Sequence, residues 1–212
     1  VNVLNFKPSL FDKAKSEHIR IIHDERDAVN KVGRSLFHLI PPALSARPII
    51  FVCIGTDRST GDSLGPLIGT FLEQKNVHPF HIYGTLDQPI HALNLTEKLL
   101  EIKHSHPNPF IIGIDACLGR LKSVGVIQIG NGPIKPGAGV NKELPAVGDI
   151  HISGIVNVSG FMEYYVLQNT RLNLVMKMAK TVADGIYEAS MYYKPKHHFS
   201  ELQWTLEHEK TN

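Results

Sequence analysis

Cysteine is scarce in this chain: only Cys53 and Cys117 occur among 212 residues, each inside an apolar run. Two cysteines build no disulfide framework, and neither belongs to a Cys-x-x-Cys pair, so structural zinc and dithiol redox chemistry find no support. Buried free thiols in a reducing compartment are the expectation. Long apolar runs are missing too. The longest, residues 48–54, falls far short of the roughly 18 residues a membrane span needs. Residues 1–8 carry no basic stretch leading into an apolar one, so no secretory signal is expected. Neither sign of charge is in excess: 22 Lys plus Arg face 20 Asp plus Glu, a net charge of +2. That balance offers no field for neutralising several phosphates and speaks against a nucleic-acid partner. Gly-Lys-Ser/Thr and Gly-x-Gly-x-x-Gly are absent, so a phosphate-cradling loop of either kind is not expected. No Gly-x-Ser-x-Gly elbow presents a serine or cysteine nucleophile, and no repeat or low-complexity tract occurs.

What is present describes a globular α/β chain. Hydrophobic residues make up 42% and charged residues 20%, enough apolar surface to offset chain entropy. At roughly 150 residues per domain, the length fits one α/β domain over 1–212, divided into an N-terminal helical segment 1–47, a core 48–191 and a C-terminal tail 192–212. Val29, Val32, Leu36, Phe37 and Ile40 recur at helical spacing over 27–40, and Pro41-Pro42 ends the helix. Residues 49–54 and 110–114 are continuously apolar, as strands are when helices cover both faces of a parallel sheet. Between them, 64–74 reads as a helix, 81–83 as a short strand and 93–104 as a helix. That βαβαβ order predicts a doubly wound sheet with right-handed crossovers. Residues 124–129 and 149–158 are two more strands, joined by a Gly- and Pro-rich loop, and Leu172, Val175, Met176, Ala179, Val182, Ala183 and Ile186 mark a closing amphipathic helix.

Ligands of such sheets bind beyond the carboxyl ends of strands, which singles out three segments. The first, 55–66, carries Gly55, Thr56, Asp57 and Asp62; the second places Asp115 just after the 110–114 strand; the third, 130–142, carries Pro136, Gly137, Gly139 and Asn141. Asp62, at a helix start, reads either as a cap or as an acid of a site. Asp115 reads either as the partner of a loop amide or of Arg120, or as a catalytic acid. Together they say more. Carboxylates converging on one crevice repel each other, and folds keep such a pair to share a proton for acid–base work or to hold a metal. Asp57 is either a third acid or an Asx-turn residue. The turn at 136–139 either aims backbone N–H groups at an oxyanion or only reverses the chain. His78, His81, His104, His106, His197 and His198 show no ligand spacing. His151 is read as a satisfied strand histidine, with a crevice-facing one the alternative. Cys117 reads as core, or as reactive if the crevice is electropositive.

Three stretches in this order, 54–66, 113–118 and 127–142, resemble the spore germination protease family, and the whole chain resembles a sporulation relative of that protease. The resemblance implies a three-layer α/β/α sandwich, phosphorylase/hydrolase-like, as in germination protease and the hydrogenase maturation proteases. It also implies that Asp62 and Asp115 form the catalytic pair and that the loop through Gly139 and Asn141 borders the substrate. Gly61 stands where the protease has proline before the first acid. The implied function is an acid peptidase of sporulation with a protein or peptide substrate such as the small acid-soluble spore proteins, working in the cytoplasm of the forespore or spore. Homo-oligomers are compatible with it. No cofactor and no metal are expected, because the loop offers no histidine to complete a metal site. Two other readings stay open: a non-catalytic spore protein that binds a peptide or partner, and metal-assisted processing like that of the hydrogenase maturation proteases.

Overall fold

The computed structural model describes residues 18–41, 47–137 and 144–193. In chain order they form β1 (Ile19–Ile22), α1 (Ala28–Leu39), β2 (Ile49–Cys53), α2 (Leu64–Lys75), β3 (His81–Tyr83), α3 (Leu95–Ser105), β4 (Phe110–Gly119), a 3-10 turn (Leu121–Ser123), β5 (Val126–Asn131), β6 (Ile150–Val158), α4 (Glu163–Gln168) and α5 (Leu172–Tyr193). One six-stranded sheet runs in the order β1-β5-β6-β4-β2-β3. β2 is parallel to β3 and β4, and β4 to β6, while β5 is antiparallel to both of its neighbours. Five strands therefore share a direction and β5 alone opposes them.

The apolar runs that promised two-sided burial deliver it. Every residue of β2 is buried. Phe51 and Cys53 join a core with Leu36 of α1, Ile68 of α2 and Val175, Met178 and Ala179 of α5. Ile50, Val52 and Ile111 face the other way, onto Leu95, Leu99 and Ile102 of α3. Helices cover both faces, giving three layers as expected. From β2 the chain crosses by α2 to β3 on one side, then returns by α3 to β4 on the other. The strand order thus reverses between β2 and β4, and there an open α/β sheet leaves a crevice.

Three features depart from the sequence reading. A strand, β1, precedes the first helix and pairs with β5, Ile19 opposite Ile129 and Ile22 opposite Val126. Only Ile21 of its four residues is buried, so an edge strand this short carries no alternation to detect. β4 does not stop at Ile114. Its pairing with β2 ends there, but Asp115 to Cys117 continue against Ser153 to Ile155 of β6, and after a bulge Leu118 and Gly119 pair with Asn157 and Val158. Asp115 is therefore a residue within a strand rather than one following it. The six-residue α4 was not foreseen either. Most of the expected tail, from residue 194 on, lies outside the described residues. Among the described residues, no helix is long and apolar enough to cross a membrane.

Candidate active site

The turn after β2 is built by close backbone approach. Ile54 N–H donates to Ile114 O at 2.7 Å and Gly55 N–H to Ile90 O at 2.8 Å, tying the strand end to both neighbouring segments. Thr56 N–H then donates to Asp62 O at 3.1 Å, closing the loop on itself. Gly55 has φ +146, and a Cβ there would stand 1.9 Å from Asp62 O, so only glycine permits this closure. Gly65 serves the same packing: a Cβ would stand 2.1 Å from Ile54 O, where α2 starts against the end of β2. The loop thereby delivers Asp62 to the mouth of the crevice.

Capping does not explain Asp62. Ser63 occupies the N-cap position of α2, and its hydroxyl donates instead to Thr60 O at 2.7 Å. Asp62 and Asp115 both line one cleft of about 270 Å³, together with Gly55, Thr56, Pro136 and Gly137. Asp115 stands at the point where β4 outruns β2, and its Oδ1 accepts the Ala116 backbone N–H at 2.9 Å. Burial pushes the Asp115 carboxyl well above the usual carboxylate range, and the negative charge of Asp62 raises it further, against the Ala116 N–H, which favours the charged form. Asp62 is also raised, by burial, with the neighbouring Ser59 hydroxyl pulling the other way. Ionising both acids at once is therefore costlier than ionising either alone. Ser59 is 5% exposed, and its buried hydroxyl makes no hydrogen bond of good geometry. That hydroxyl is the one buried side-chain polar atom without a partner among the described residues.

Other expected residues separate. Asp57 is exposed in the turn and does not line the cleft, because the turn closes through the Arg58 N–H donating to Thr56 Oγ1 at 3.3 Å and directs Asp57 outward. Gly139 and Asn141 lie outside the described residues. His151 is buried in β6, with its Nδ1 2.9 Å from Gly132 O and its ring edge-on to His18. It is absent from the cleft lining, as a satisfied strand histidine should be. Among the described residues, no group of three or more His, Cys, Asp and Glu is arranged to hold a metal ion.

Several lining residues were not singled out from the sequence: Arg58, Ser59, His91, Leu93, Tyr164 and Leu167. His91 arrives through the bridge of Ile54 with Ile90. Its backbone N–H donates to Asn94 Oδ1 at 2.8 Å, and its Nδ1 accepts the Leu93 N–H at 3.3 Å, so the ring proton of a neutral His91 sits on Nε2. Cys117 lines the cleft two residues past Asp115. Burial pushes its thiol up to about 11, with the charge of Asp115 adding to the rise and the Ser153 hydroxyl and Arg20 opposing it. Alkylation of native Cys117 by iodoacetamide at pH 7.5 is expected to run about 10²-fold slower than for a free cysteine, since the thiolate is the reacting species. Labelling at the free-thiol rate, read by intact mass, would return Cys117 to the list of candidate nucleophiles.

Residues 20–185 match the family described as a protein of unknown function, DUF1256, and the chain belongs to that family. It is 55% identical over 183 residues, 86% of this chain and 89% of its relative, to the uncharacterized protein YyaC of Bacillus subtilis (strain 168). Among solved structures, the [NiFe] hydrogenase maturation protease HycI from Thermococcus kodakarensis KOD1 is similar over 70% of this chain and 96% of that chain, with a TM-score of 0.47 and 17% identity.

Proposed function

We propose that this protein is a peptidase of sporulation that hydrolyses peptide bonds with the Asp62–Asp115 pair. One observation carries the reading: two carboxyls share a cleft at the sheet's switch point, each raised by burial, with the charge of Asp62 further raising Asp115. Such a pair holds a proton on one carboxyl and a charge on the other near neutral pH. In the proposed reaction the ionised carboxyl takes a proton from water as its oxygen bonds to the scissile carbonyl carbon. The protonated carboxyl then gives its proton to the amide nitrogen as the C–N bond breaks. The backbone N–H of Gly137, in the cleft lining, steadies the oxyanion in between. The motif likeness to the germination proteases supports a protein or peptide substrate, including small acid-soluble spore proteins, met in the forespore or spore interior.

The test is to incubate the purified protein with an acid-soluble protein extract of spores and with a mixed peptide library, with and without chelator, and to identify new N-termini by mass spectrometry. New termini in both arms are the expected result. Loss of cleavage with chelator would move the reaction to metal-assisted hydrolysis. Peptide capture with no new termini in any arm would make the cleft a binding site.

A further inference from the structure

Next to the carboxyl cleft lies a second recess of about 500 Å³, walled by Arg20, Arg120, Lys122, Ser123 and Gln128 and sharing Cys117 with the cleft. Strand register explains the placement. Arg20 of β1 is opposite Gln128 of β5, Gln128 opposite Ser153 of β6, and Ser153 opposite Asp115 of β4. Cross-strand partners project to the same face, so one polar row runs over the sheet from Arg20 to Asp115. The neighbouring row, Ile21 opposite Ile127 and Ile127 opposite Gly154, turns to the other face, where Ile21 and Ile127 join the core with α1 and α5.

The recess is cationic and uncompensated. No acidic side chain lines it, and none of its three cations takes part in an ion pair among the described residues. Arg20 is also held in place, its Nη2 donating to Ser123 Oγ at 3.0 Å, which leaves the guanidinium further N–H donors at a fixed angle. Like charges converging on one recess, with an oriented guanidinium among them, suit an oxyanion.

We propose that this recess is an oxyanion subsite that receives a carboxylate or phosphate group. Its attachment to the cleft is direct, because Cys117 and Leu118 form a wall common to both. From Asp115 to Gly119 the strand advances four residues, about 13 Å at 3.3 Å per residue. A peptide lying along β4 would therefore seat an anionic group about four residues from the bond at the acids. That last step rests on the peptidase reading; the oxyanion chemistry of the recess does not.

The experiment titrates the 15N-labelled protein at low ionic strength with three probes, in wild type and in Arg120→Gln/Lys122→Gln, two exposed positions whose side chains make no described hydrogen bond. The probes are inorganic phosphate and two peptides differing only by one glutamate or glutamine. Shifts of the Gly119, Ser123 and Gln128 amides and of the Arg20 Nε signal are expected with phosphate, with the glutamate peptide, or with both. The double variant should weaken binding about tenfold, as loss of charge-assisted hydrogen bonds does, and 0.5 M NaCl should weaken it in wild type. The stronger probe identifies the source of the oxyanion. Absence of shifts with phosphate and the glutamate peptide overturns the subsite, as does equal binding by the double variant. Cleavage is scored separately, so a protein that binds at the recess but cuts nothing sinks the peptidase reading alone, and one that cuts both peptides without recess shifts sinks the subsite alone.

Discussion

Asparagine at Asp115 or at Asp62 is expected to slow peptide hydrolysis by about 10³-fold or more, within the range spanned by loss of a general acid or base. The amide keeps the shape of the carboxyl but neither accepts the proton of water nor delivers one to the leaving amine. If the two carboxyls work as one proton-sharing unit, as proposed, their losses should not multiply. The double variant should be about as slow as the slower single variant, as residues acting together are non-additive. The measurement is kcat/KM on a peptide identified from the cleavage screen, with folding of each variant checked by its melting curve. A single variant that keeps more than a tenth of wild-type activity would remove that aspartate from the chemistry. Multiplying losses would mean that the acids act independently.

The parts of this fold and site legible in the sequence are those written in local chemistry. Ile49 to Cys53 is apolar on both faces because α2 and α3 cover both faces, and that double burial is visible as an unbroken run. Asp62 and Asp115 were legible as acids near the carboxyl ends of neighbouring strands, and the switch between β2 and β4 brings them to one cleft. What was not legible depends on long-range pairing. β4 reads as ending at the charged Asp115, whereas its continuation is decided by β6, which supplies Ser153 to Ile155 as partners. A charged residue tolerates a strand interior where one side of the pairing has lapsed and the side chain meets a cleft. His91 sits in a segment without periodicity, and the bridge of Ile54 with Ile90, including the Gly55 N–H bond to Ile90 O, brings it to the cleft. Ser59 reads as an ordinary turn serine. Its burial without a partner emerges only once Leu167 O has accepted the Gly61 N–H and the end of α4 has closed over the loop.

The burial that raises both acids should cost stability at neutral pH, and the sign follows from the direction of the shifts. Both carboxyls are raised in the folded protein, Asp115 the more strongly, first by burial and then by the charge of Asp62. Below the unfolded value of about 3.9, folded and unfolded chains are both protonated and the penalty is absent. As pH rises from there toward the folded value, the unfolded chain releases its proton first, so unfolding is increasingly favoured; above the folded value the penalty is constant. Asp115→Asn removes the ionisation and should melt above wild type at pH 7, with Asp62→Asn giving a smaller gain. Relief of about 1 kcal/mol corresponds to about 2–4 °C in a chain of this size, the stability gained when a strained functional site is neutralised. The gain should shrink steadily as pH falls toward 4, where wild type protonates the strained acid and recovers. Two independent, solvated carboxylates would behave differently: asparagine would leave the melting temperature nearly unchanged at every pH. Melting curves of both variants from pH 4 to 8 decide the matter, and variants that melt at or below wild type at pH 7, with no dependence on pH, would show that the two acids are not a strained pair.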